Sequence, residues 1–359
     1  MLRQSKIPQR ISRLEELANN LWWSWHDQAR AVFQALDYPL WQLSGHNPVK
    51  LIHDIGREKL LAAAGDSNFV SLYDSVISAF DADMSAKDTW FSTRYPEMAA
   101  EPIAYFSAEF AIHNSLPIYA GGLGVLAGDI CKEASDSGLP MVGIGFMYPQ
   151  GYFHQHISAE GWQEETYRQL NFDEAPISLC PCSKEPGNLL QIQLGDKSIY
   201  IKVWQVRVGR VNLYLLDTNV AENSTEDRLL SARLYTSEQE QRIQQEIILG
   251  IGGVRLLRAL DIKPVIWHAN EGHTVFMALE RLREEVEKGT SFAEAIKKIR
   301  AATIFTTHTP VPAGTDIFPV QLVEKYLHRF QGALKIDRET FLGLGQQDER
   351  EKQTFNMSV

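Results

Sequence analysis

The 359-residue chain is poor in cysteine, in net positive charge and in long apolar segments. Its three cysteines, Cys131, Cys180 and Cys182, are too few for a disulfide framework, and we expect Cys131 to be a small core residue. The net charge of −10 argues against a nucleic acid or an anionic membrane as the main partner. We find no cationic apolar leader and no membrane-length apolar run, and we therefore expect a cytoplasmic, reducing setting.

Several common catalytic signatures are also missing. No serine-nucleophile motif occurs, and no carboxylates are paired at a fixed spacing that would suggest a hydrolase. Cys180-Pro-Cys182 has the wrong spacing for a zinc knuckle, and His268, Glu271 and His273 do not follow a common zinc spacing. We therefore predict no metal site. The 44% hydrophobic content is still enough to bury one large core or two.

The chain divides into two parts by its hydrophobic pattern. Residues 1–95 are predicted to be a helical extension, and residues 96–359 an α/β domain. Trp22, Trp23 and Trp25 could form a platform on which a sugar stacks. We favour the alternative, in which these aromatic side chains attach the helical extension to the neighbouring domain.

From Ile103 onwards, strand and helix patterns alternate, which is typical of a mostly parallel sheet covered by helices. The predicted strands are Ile103–Ser107, Met141–Met147, Pro264–Trp267 and Ala302–Thr307, and we expect the second and the last of them to be buried. The predicted helices are Gly122–Ser137, Glu238–Leu260, Gly272–Glu287 and Phe292–Arg300. Residues 189–216 alternate apolar and polar side chains between turns, which predicts an inserted antiparallel meander.

Polar clusters follow three of the predicted strands. They are Ser107–Glu109, His268–His273 and Thr307–Thr309. Ligands of mostly parallel sheets bind beyond the carboxyl ends of the strands, so we expect all three clusters to line one crevice.

A glycine loop, Gly121–Gly124, opens the first helix of the α/β domain. The N–H groups at such a helix start can meet an anionic or polyhydroxylated ligand. Gly122, Gly124 and Ala127 match the G-x-G-x-x-A pattern of dinucleotide sites, but that reading is weak here. A long loop separates the first strand from the glycines, and no acidic residue closes the second strand.

The segment Phe305–Gly314 ends a buried strand and turns on Pro310 and Pro312. Such a rigid turn can hold a carbonyl or the His308 ring against a ligand, although a histidine satisfied within the protein is the alternative. Asn270 or Glu271 could likewise be only a helix N-cap.

Taken together, these segments resemble the α-glucan phosphorylases, in the shorter bacterial and archaeal branch that carries a helical N-terminal extension. The resemblance covers essentially the whole chain. The segments that carry it are Tyr105–Phe110, Ile118–Asp129, Tyr148–Trp162, Leu215–Asn219, Arg242–Gly253, His268–His273 and Thr306–Phe318.

The resemblance implies a GT-B-type glycosyltransferase whose N-terminal Rossmann-like lobe corresponds to this chain. It implies reversible phosphorolysis of α-1,4-glucan to glucose 1-phosphate with retention, using the phosphate of pyridoxal phosphate. The family's C-terminal lobe, with its cofactor lysine, has no counterpart here, and we expect the chain alone to be inactive. The implied partners are α-1,4-glucan, inorganic phosphate and glucose 1-phosphate, with a homo-oligomer as a further option.

The resemblance also implies roles for individual residues. His308 corresponds to the catalytic histidine that bonds the sugar 6-hydroxyl and turns its backbone carbonyl towards the anomeric carbon. Gly122, Leu123 and Gly124 correspond to the loop beside the sugar and the phosphates, with Gly122 and Gly124 near the cofactor phosphate. The remaining residues assigned to substrate binding are Glu109, Arg242, Asn270, Glu271, His273 and Thr309.

Two other functions stay open at this point. The first is a glycogen or starch synthase of the same fold class. Those enzymes begin near the N-terminus with a Lys-x-Gly-Gly-Leu loop, whereas Ile118-Tyr119-Ala120 precedes Gly121 here, after a helical extension. The second is a glucan-binding protein without catalytic activity.

Overall fold

The computed structural model describes residues 6–183, 188–308, 315–346 and 352–359. The α-helices of the described ranges are α1 Leu14–Ala18, α2 Asp27–Leu36, α3 Tyr38–Leu43, α4 Pro48–Asp54, α5 Arg57–Gly65, α6 Ser67–Ser85, α7 Trp90–Arg94, α8 Gly122–Ser137, α9 Thr225–Arg228, α10 Gln239–Ile247, α11 Gly253–Ala259, α12 Phe276–Glu287, α13 Phe292–Ala301, α14 Val320–Leu334 and α15 Arg338–Leu342. None of these helices combines the length and apolarity that crossing a bilayer requires.

The strands of the same ranges are β1 Ile103–Phe106, β2 Met141–Phe146, β3 His154–Ile157, β4 Gln163–Thr166, β5 Ser178–Leu179, β6 Leu190–Leu194, β7 Lys197–Val208, β8 Val211–Asp217, β9 Ile266–Asn270, β10 Thr303–Thr306, β11 Ile317–Pro319 and β12 Thr354–Asn356. The main sheet has the order β10-β9-β1-β2-β8-β7-β5, and β6 also pairs with β7. The first five strands in this order are parallel, and β7 pairs antiparallel with β8, β5 and β6. The chain is therefore α/β, with a mixed sheet and an inserted β6–β7–β8 meander, as the sequence predicts.

The order of the strands changes direction between β1 and β9. After β1 the chain passes through α8 to β2 on one side, whereas β9 and then β10 are added on the other side. In open α/β sheets, a crevice forms beyond the carboxyl ends of the strands where the order reverses in this way. The fold therefore places a crevice at Ser107 and Asn270.

Two predicted strands differ from the observed ones. The strand predicted to end at Trp267 continues to Asn270, because its polar residues find partners on both neighbouring strands. The prediction that Ala302–Thr307 is a buried strand was wrong. β10 is the edge of the sheet, and its Ile304 and Phe305 are 47% and 40% exposed.

The predicted helix Glu238–Leu260 is present as α10 and α11, joined by a π-helical turn over Ile248–Gly252. The predicted helix Gly272–Glu287 begins with a 3₁₀ turn, Gly272–Thr274, before α12. π-Helical turns such as Ile248–Gly252 are frequent at functional sites.

The helices before β1 are attached to the α/β part by the segment that contains the three tryptophans. Trp22 and Trp23 are buried, and the Trp23 ring lies edge-on to His113 at 4.6 Å. The indole N–H of Trp25 donates to Asp136 at the end of α8. The interpretation of these tryptophans as an attachment is confirmed.

Asn20 makes the most specific contact of this attachment. Its Oδ1 accepts from the backbone N–H groups of Gly209 (2.8 Å) and Trp22 (3.1 Å), and its Nδ2 donates to the Gly209 carbonyl (3.1 Å). Asn20 is 3% exposed, so one side chain satisfies both backbone groups of a buried turn between β7 and β8.

We predict that Asn20→Ala lowers the free energy of unfolding by about 2–4 kcal/mol, because it leaves both backbone groups of Gly209 buried without a partner. Asn19→Ala is the matched control, since the Asn19 side chain donates to the Glu15 carbonyl four residues earlier, and its expected cost is below about 0.5 kcal/mol. Urea unfolding measures both. Equal losses in the two variants would show that Asn20 does not anchor the attachment.

The same attachment makes stability depend on pH. Burial lowers the pKa of His113 to about 4, and its Nδ1 accepts from the Ser115 N–H. In the unfolded chain the residue titrates near 6.5. The unfolded state therefore binds more protons between these values, and this contribution to stability, present above pH 6.5, is lost as the pH falls towards 4.

We predict that His113→Asn reduces the fall in the free energy of unfolding between pH 6.5 and 4 by up to about 3 kcal/mol. The asparagine oxygen can accept from the Ser115 N–H, and it does not titrate. His156→Asn, at an exposed histidine of β3, is the control and should leave the slope unchanged. Parallel slopes for wild type and His113→Asn would contradict the prediction.

Candidate active site

The polar ends of β1, β9 and β10 meet in the crevice where the strand order changes. Ser107 follows β1, Asn270 ends β9, and His308 lies two residues after β10. In-register pairing brings Phe106 beside Ala269, and Thr306 beside Asn270. Two of the predicted clusters therefore lie together with the described part of the third.

A chain of hydrogen bonds joins the three strand ends. His308 Nε2 bonds to Asn270 Oδ1 (2.7 Å), and Asn270 Nδ2 donates to Ser107 Oγ (3.1 Å). Ser107 Oγ donates to the backbone carbonyl of Glu109 (2.9 Å). Asn270 and Ser107 are buried, so the chain fixes the His308 ring from inside the protein.

The direction of this chain defines the state of the His308 ring. Because Asn270 Nδ2 is used as a donor, its Oδ1 is the acceptor, and His308 Nε2 carries a hydrogen. His308 Nδ1 makes no hydrogen bond within the described ranges. In the neutral ring that nitrogen is an acceptor, available to a hydroxyl group.

Glu271 holds the backbone of His308. Its Oε1 accepts from the His308 N–H, and its own N–H donates to the Thr306 carbonyl at 2.8 Å. Glu271 has φ 69° and ψ 167°, a region that only glycine adopts readily. Such backbone strain persists where the surrounding structure enforces it, and it is concentrated at functional sites.

A second histidine, His268, lies behind this network. Its Nε2 bonds to Thr306 Oγ1 at 2.6 Å, and the Tyr105 ring meets it edge-on at 4.9 Å. Burial, and to a smaller extent the neighbouring His308, lower the pKa of His268 below its ordinary value. His268 is therefore neutral at pH 7 and adds no positive charge.

The glycine loop is held by Glu109. One carboxylate oxygen accepts from the N–H groups of Ala120 (2.6 Å) and Gly121 (3.1 Å), and the other accepts from the Tyr235 hydroxyl (2.9 Å). Glu109 is 3% exposed. Its carboxylate is thus committed to the loop, while its carbonyl ends the hydrogen-bond chain from His308.

The glycines of the loop face different surroundings. A Cβ built on Gly124 would lie 2.7 Å from Glu109 Oε2, so the carboxylate leaves no space for a side chain. A Cβ on Gly121 or Gly122 would meet nothing within 4 Å. The start of α8 is therefore open above Gly121 and Gly122, where first-turn N–H groups without intrahelical acceptors favour an anion.

Arg242 and His273 belong to a neighbouring group centred on Asp316. Asp316 Oδ2 lies 2.6 Å from Arg242 Nη2 and 3.2 Å from His273 Nε2. The Tyr235 ring lies 5.6 Å from that of His273, which connects this group to Glu109. Thr309, the last residue assigned from the sequence, lies outside the described residues.

Sequence reasoning missed Tyr235, Asp316 and Glu246. Tyr235 lies outside any pattern with a chemical meaning. Asp316 and Glu246 fall within two of the segments that carry the resemblance, Thr306–Phe318 and Arg242–Gly253, but neither was assigned a role there. Glu246 is also a polar residue on the buried face of an amphipathic helix, which was a further signal for it. The described residues contain no group of three or more His, Cys, Asp or Glu side chains placed to hold a metal ion.

Comparison with known proteins gives relatives along the whole chain. A family model described as a protein of unknown function, DUF3417, matches residues 7–116. The maltodextrin phosphorylase of Thermococcus litoralis is 45% identical over 356 residues, which are 99% of this chain and 42% of the relative. The glycogen phosphorylase of Mycobacterium tuberculosis strain H37Rv is 39% identical over 375 residues, which cover 99% of this chain and 43% of the relative.

The glycogen phosphorylase of Aquifex aeolicus is 37% identical over 347 residues, covering 96% of this chain and 49% of the relative. The chain thus spans less than half the length of each of these three relatives. These identities, sustained over nearly all of its residues, show that the chain belongs to the family of the maltodextrin and glycogen phosphorylases and corresponds to their N-terminal half.

Proposed function

We propose that the chain forms the N-terminal lobe of an α-glucan phosphorylase with a GT-B architecture. The reaction is the phosphorolysis of α-1,4-glucan, in which the glucosidic bond is cleaved with retention and glucose 1-phosphate is released. Its partners are the glucan and inorganic phosphate.

The observation that carries this proposal is the joint attachment of two groups to Glu109. Its carbonyl ends the chain that orients His308, and its carboxylate holds the open glycine loop. A hydroxyl-binding imidazole and an anion-binding helix start are thereby fixed relative to each other. A phosphorolytic enzyme needs both, because a neutral sugar and a phosphate must be aligned in one site.

In this mechanism His308 Nδ1 accepts a hydrogen bond from a sugar hydroxyl, since Nε2 is already used by Asn270. The His308 carbonyl faces the sugar ring and stabilises positive charge that develops at the anomeric carbon. Glu271 keeps that carbonyl in place through the His308 N–H. Asn270, Glu271 and Glu109 act as positioning residues, and so do Arg242 and His273 through Asp316.

The glycine loop fits the phosphate of pyridoxal phosphate. The open space above Gly122 and the N–H groups of the first turn of α8 suit a phosphate group, whereas Gly124 is closed by Glu109. When bound, the cofactor phosphate would relay a proton to inorganic phosphate. This chain's part is to hold that phosphate by its backbone.

We propose further that the 359 residues alone do not catalyse the phosphorolysis of glucan. The relatives are about twice as long, and the resemblance assigns the cofactor lysine and basic phosphate contacts to their other half. Transition-state stabilisation is then divided between two lobes, and one lobe supplies only part of it.

The first test measures glucan binding and turnover separately. We predict that the 359-residue chain binds maltoheptaose in saturation-transfer NMR and releases no glucose 1-phosphate with phosphate and pyridoxal phosphate. A chimera completed with the remaining part of the Thermococcus litoralis maltodextrin phosphorylase should release it. His308→Ala should weaken binding at least tenfold, because the hydroxyl loses its acceptor.

His328→Ala is the matched control for that test, because this histidine lies on α14 beside Asp196 and its side chain is 45% exposed. A chain that binds no maltoheptaose, together with a folded chimera that releases no glucose 1-phosphate, would reject the proposal. Consumption of a nucleotide-sugar donor would instead favour a synthase.

A second test compares two alanine substitutions in the loop. We predict that Gly124→Ala lowers the free energy of unfolding by about 1–3 kcal/mol, because its methyl group displaces the Glu109 carboxylate. Gly122→Ala should keep or raise stability, by up to about 1 kcal/mol, since its methyl group meets no atom and alanine favours helix.

Both variants should weaken the binding of inorganic phosphate to the loop, Gly122→Ala by filling the open space and Gly124→Ala by moving the loop. The readouts are urea unfolding and phosphate titration followed by NMR of the loop amides. Unchanged phosphate binding in Gly122→Ala would contradict the assignment of the anion to this space.

A further inference from the structure

Behind the candidate site lies a small pocket of about 20 Å³, whose lining includes the polar residues Tyr148, Tyr235, Arg242, Gln245, Glu246 and His273. That volume admits about one water-sized molecule and no sugar. The pocket is therefore not a substrate site. Its unusual member is Glu246, a carboxyl group that the proposed mechanism does not use.

Glu246 is 4% exposed, and neither of its oxygens accepts a hydrogen bond from a donor in the described ranges. Both nearby cationic or imidazole donors, Arg242 and His273, are directed at Asp316 instead. The Glu246 carboxyl itself lies within hydrogen-bonding reach of Asp316. An ionised Glu246 would be a buried charge without donors, beside a second carboxylate.

We propose that Glu246 is a positioning residue that keeps its proton at neutral pH and donates it to the Asp316 carboxylate. The pair then carries one negative charge, which Arg242 balances. Two carboxyl groups that share one proton in this way can lie side by side without repulsion.

The groups that face Glu246 come from several elements. Arg242 lies on its own helix α10, Asp316 precedes β11, and His273 belongs to the 3₁₀ turn before α12. Tyr148 and Tyr235 line the same pocket, and the Tyr235 hydroxyl is bound to Glu109. Burial, and then the Asp316 carboxylate, raise the pKa of Glu246 well above its ordinary value, while His273, Glu246 and Arg242 lower the pKa of Asp316 against its own burial.

Asp316, one member of this carboxyl pair, lies eight residues along the chain from His308. It is the second residue of the described range 315–346, and its carbonyl accepts from the Met357 N–H at 3.0 Å. Before residues 309–314, Glu271 accepts from the His308 N–H. That this pair helps to position His308 for catalysis rests on the proposed function, whereas the assignment of a proton to Glu246 does not.

The experiment is infrared spectroscopy of the 359-residue chain at pH 7, where a protonated carboxyl group has a C=O stretch that a carboxylate lacks. We expect the wild-type chain to show this band and Glu246→Gln to lose it. Asp316→Asn should lose it too, because Arg242 then lacks its partner and Glu246 ionises to replace it. Glu240→Gln, at a half-exposed glutamate of the same helix, is the control and should keep the band.

A second readout uses stability against pH. A raised pKa means that the folded state binds the proton more tightly than the unfolded state does. The free energy of unfolding of the wild type should therefore fall as the pH rises above the ordinary pKa of a glutamate side chain. Glu246→Gln, which keeps a donor for Asp316 and does not titrate, should fall less steeply over the same range. Glu246→Ala removes the donor and should lose stability at every pH.

Absence of the band in the wild type, or its survival in folded Glu246→Gln, would overturn the proposal. Both results are independent of glucan and of turnover. If the band behaves as expected but the completed chimera is inactive, the proton assignment stands and the proposed function fails. In an active chimera, Glu246→Gln should retain most of kcat and Glu246→Ala should lose at least tenfold.

Discussion

The candidate site depends on one buried carboxylate, that of Glu109. It accepts three hydrogen bonds, two from the backbone of the glycine loop and one from Tyr235, at a position that is 3% exposed. A carboxylate removed from water to this extent is stable only when donors surround it. The loop and the Tyr235 segment therefore cannot move away without exposing Glu109 to a large desolvation cost.

This constraint explains why distant segments converge. β1 ends beside β9 at the change in strand order. Ser107 is hydrogen-bonded to the Glu109 carbonyl and to Asn270, and Asn270 is bonded to His308, so the place of Glu109 determines that of the His308 ring. This convergence is accompanied by backbone strain, since Tyr235 and Glu271 both have positive φ, 56° and 69°. Each of these residues offers a polar atom to the network, and that bond offsets its unfavourable torsion.

The parallel core and the crevice could be predicted from the sequence, because apolar strands, glycine turns and polar strand ends have local signals. The limits of β9 could not, since His268 and Asn270 are polar residues within a strand and their partners lie on other strands. The exposure of β10 depends on which strand is last in the sheet, and periodicity carries no information on that order. Asp316 and Tyr235 were missed for the same reason, because their partners are 43–126 residues away.

The structure also separates two meanings of a site residue. Among the residues assigned from the sequence, the carboxylates of Glu109 and Glu271 and the amide of Asn270 bond within the protein. Arg242 and His273 are bound to Asp316. Within the described ranges, what remains for a ligand is His308 Nδ1, its carbonyl and the N–H groups of Gly122, Leu123 and Gly124, since the Gly121 N–H is bound to Glu109. Most of the residues assigned from the sequence therefore position the site through bonds within the protein, and few are left to contact a ligand.

That division bears on the need for a second lobe. Backbone N–H groups can orient a phosphate, but they carry only partial charge, and a phosphorolytic site must hold a substrate phosphate beside a cofactor phosphate. The one arginine that the resemblance places in the crevice is already neutralised by Asp316, and His268 is neutral. On the proposed function, the full positive charge then has to come from outside these residues. This supports the proposal that transition-state stabilisation is divided between two lobes, with this chain holding the sugar and meeting the cofactor phosphate only through backbone N–H groups.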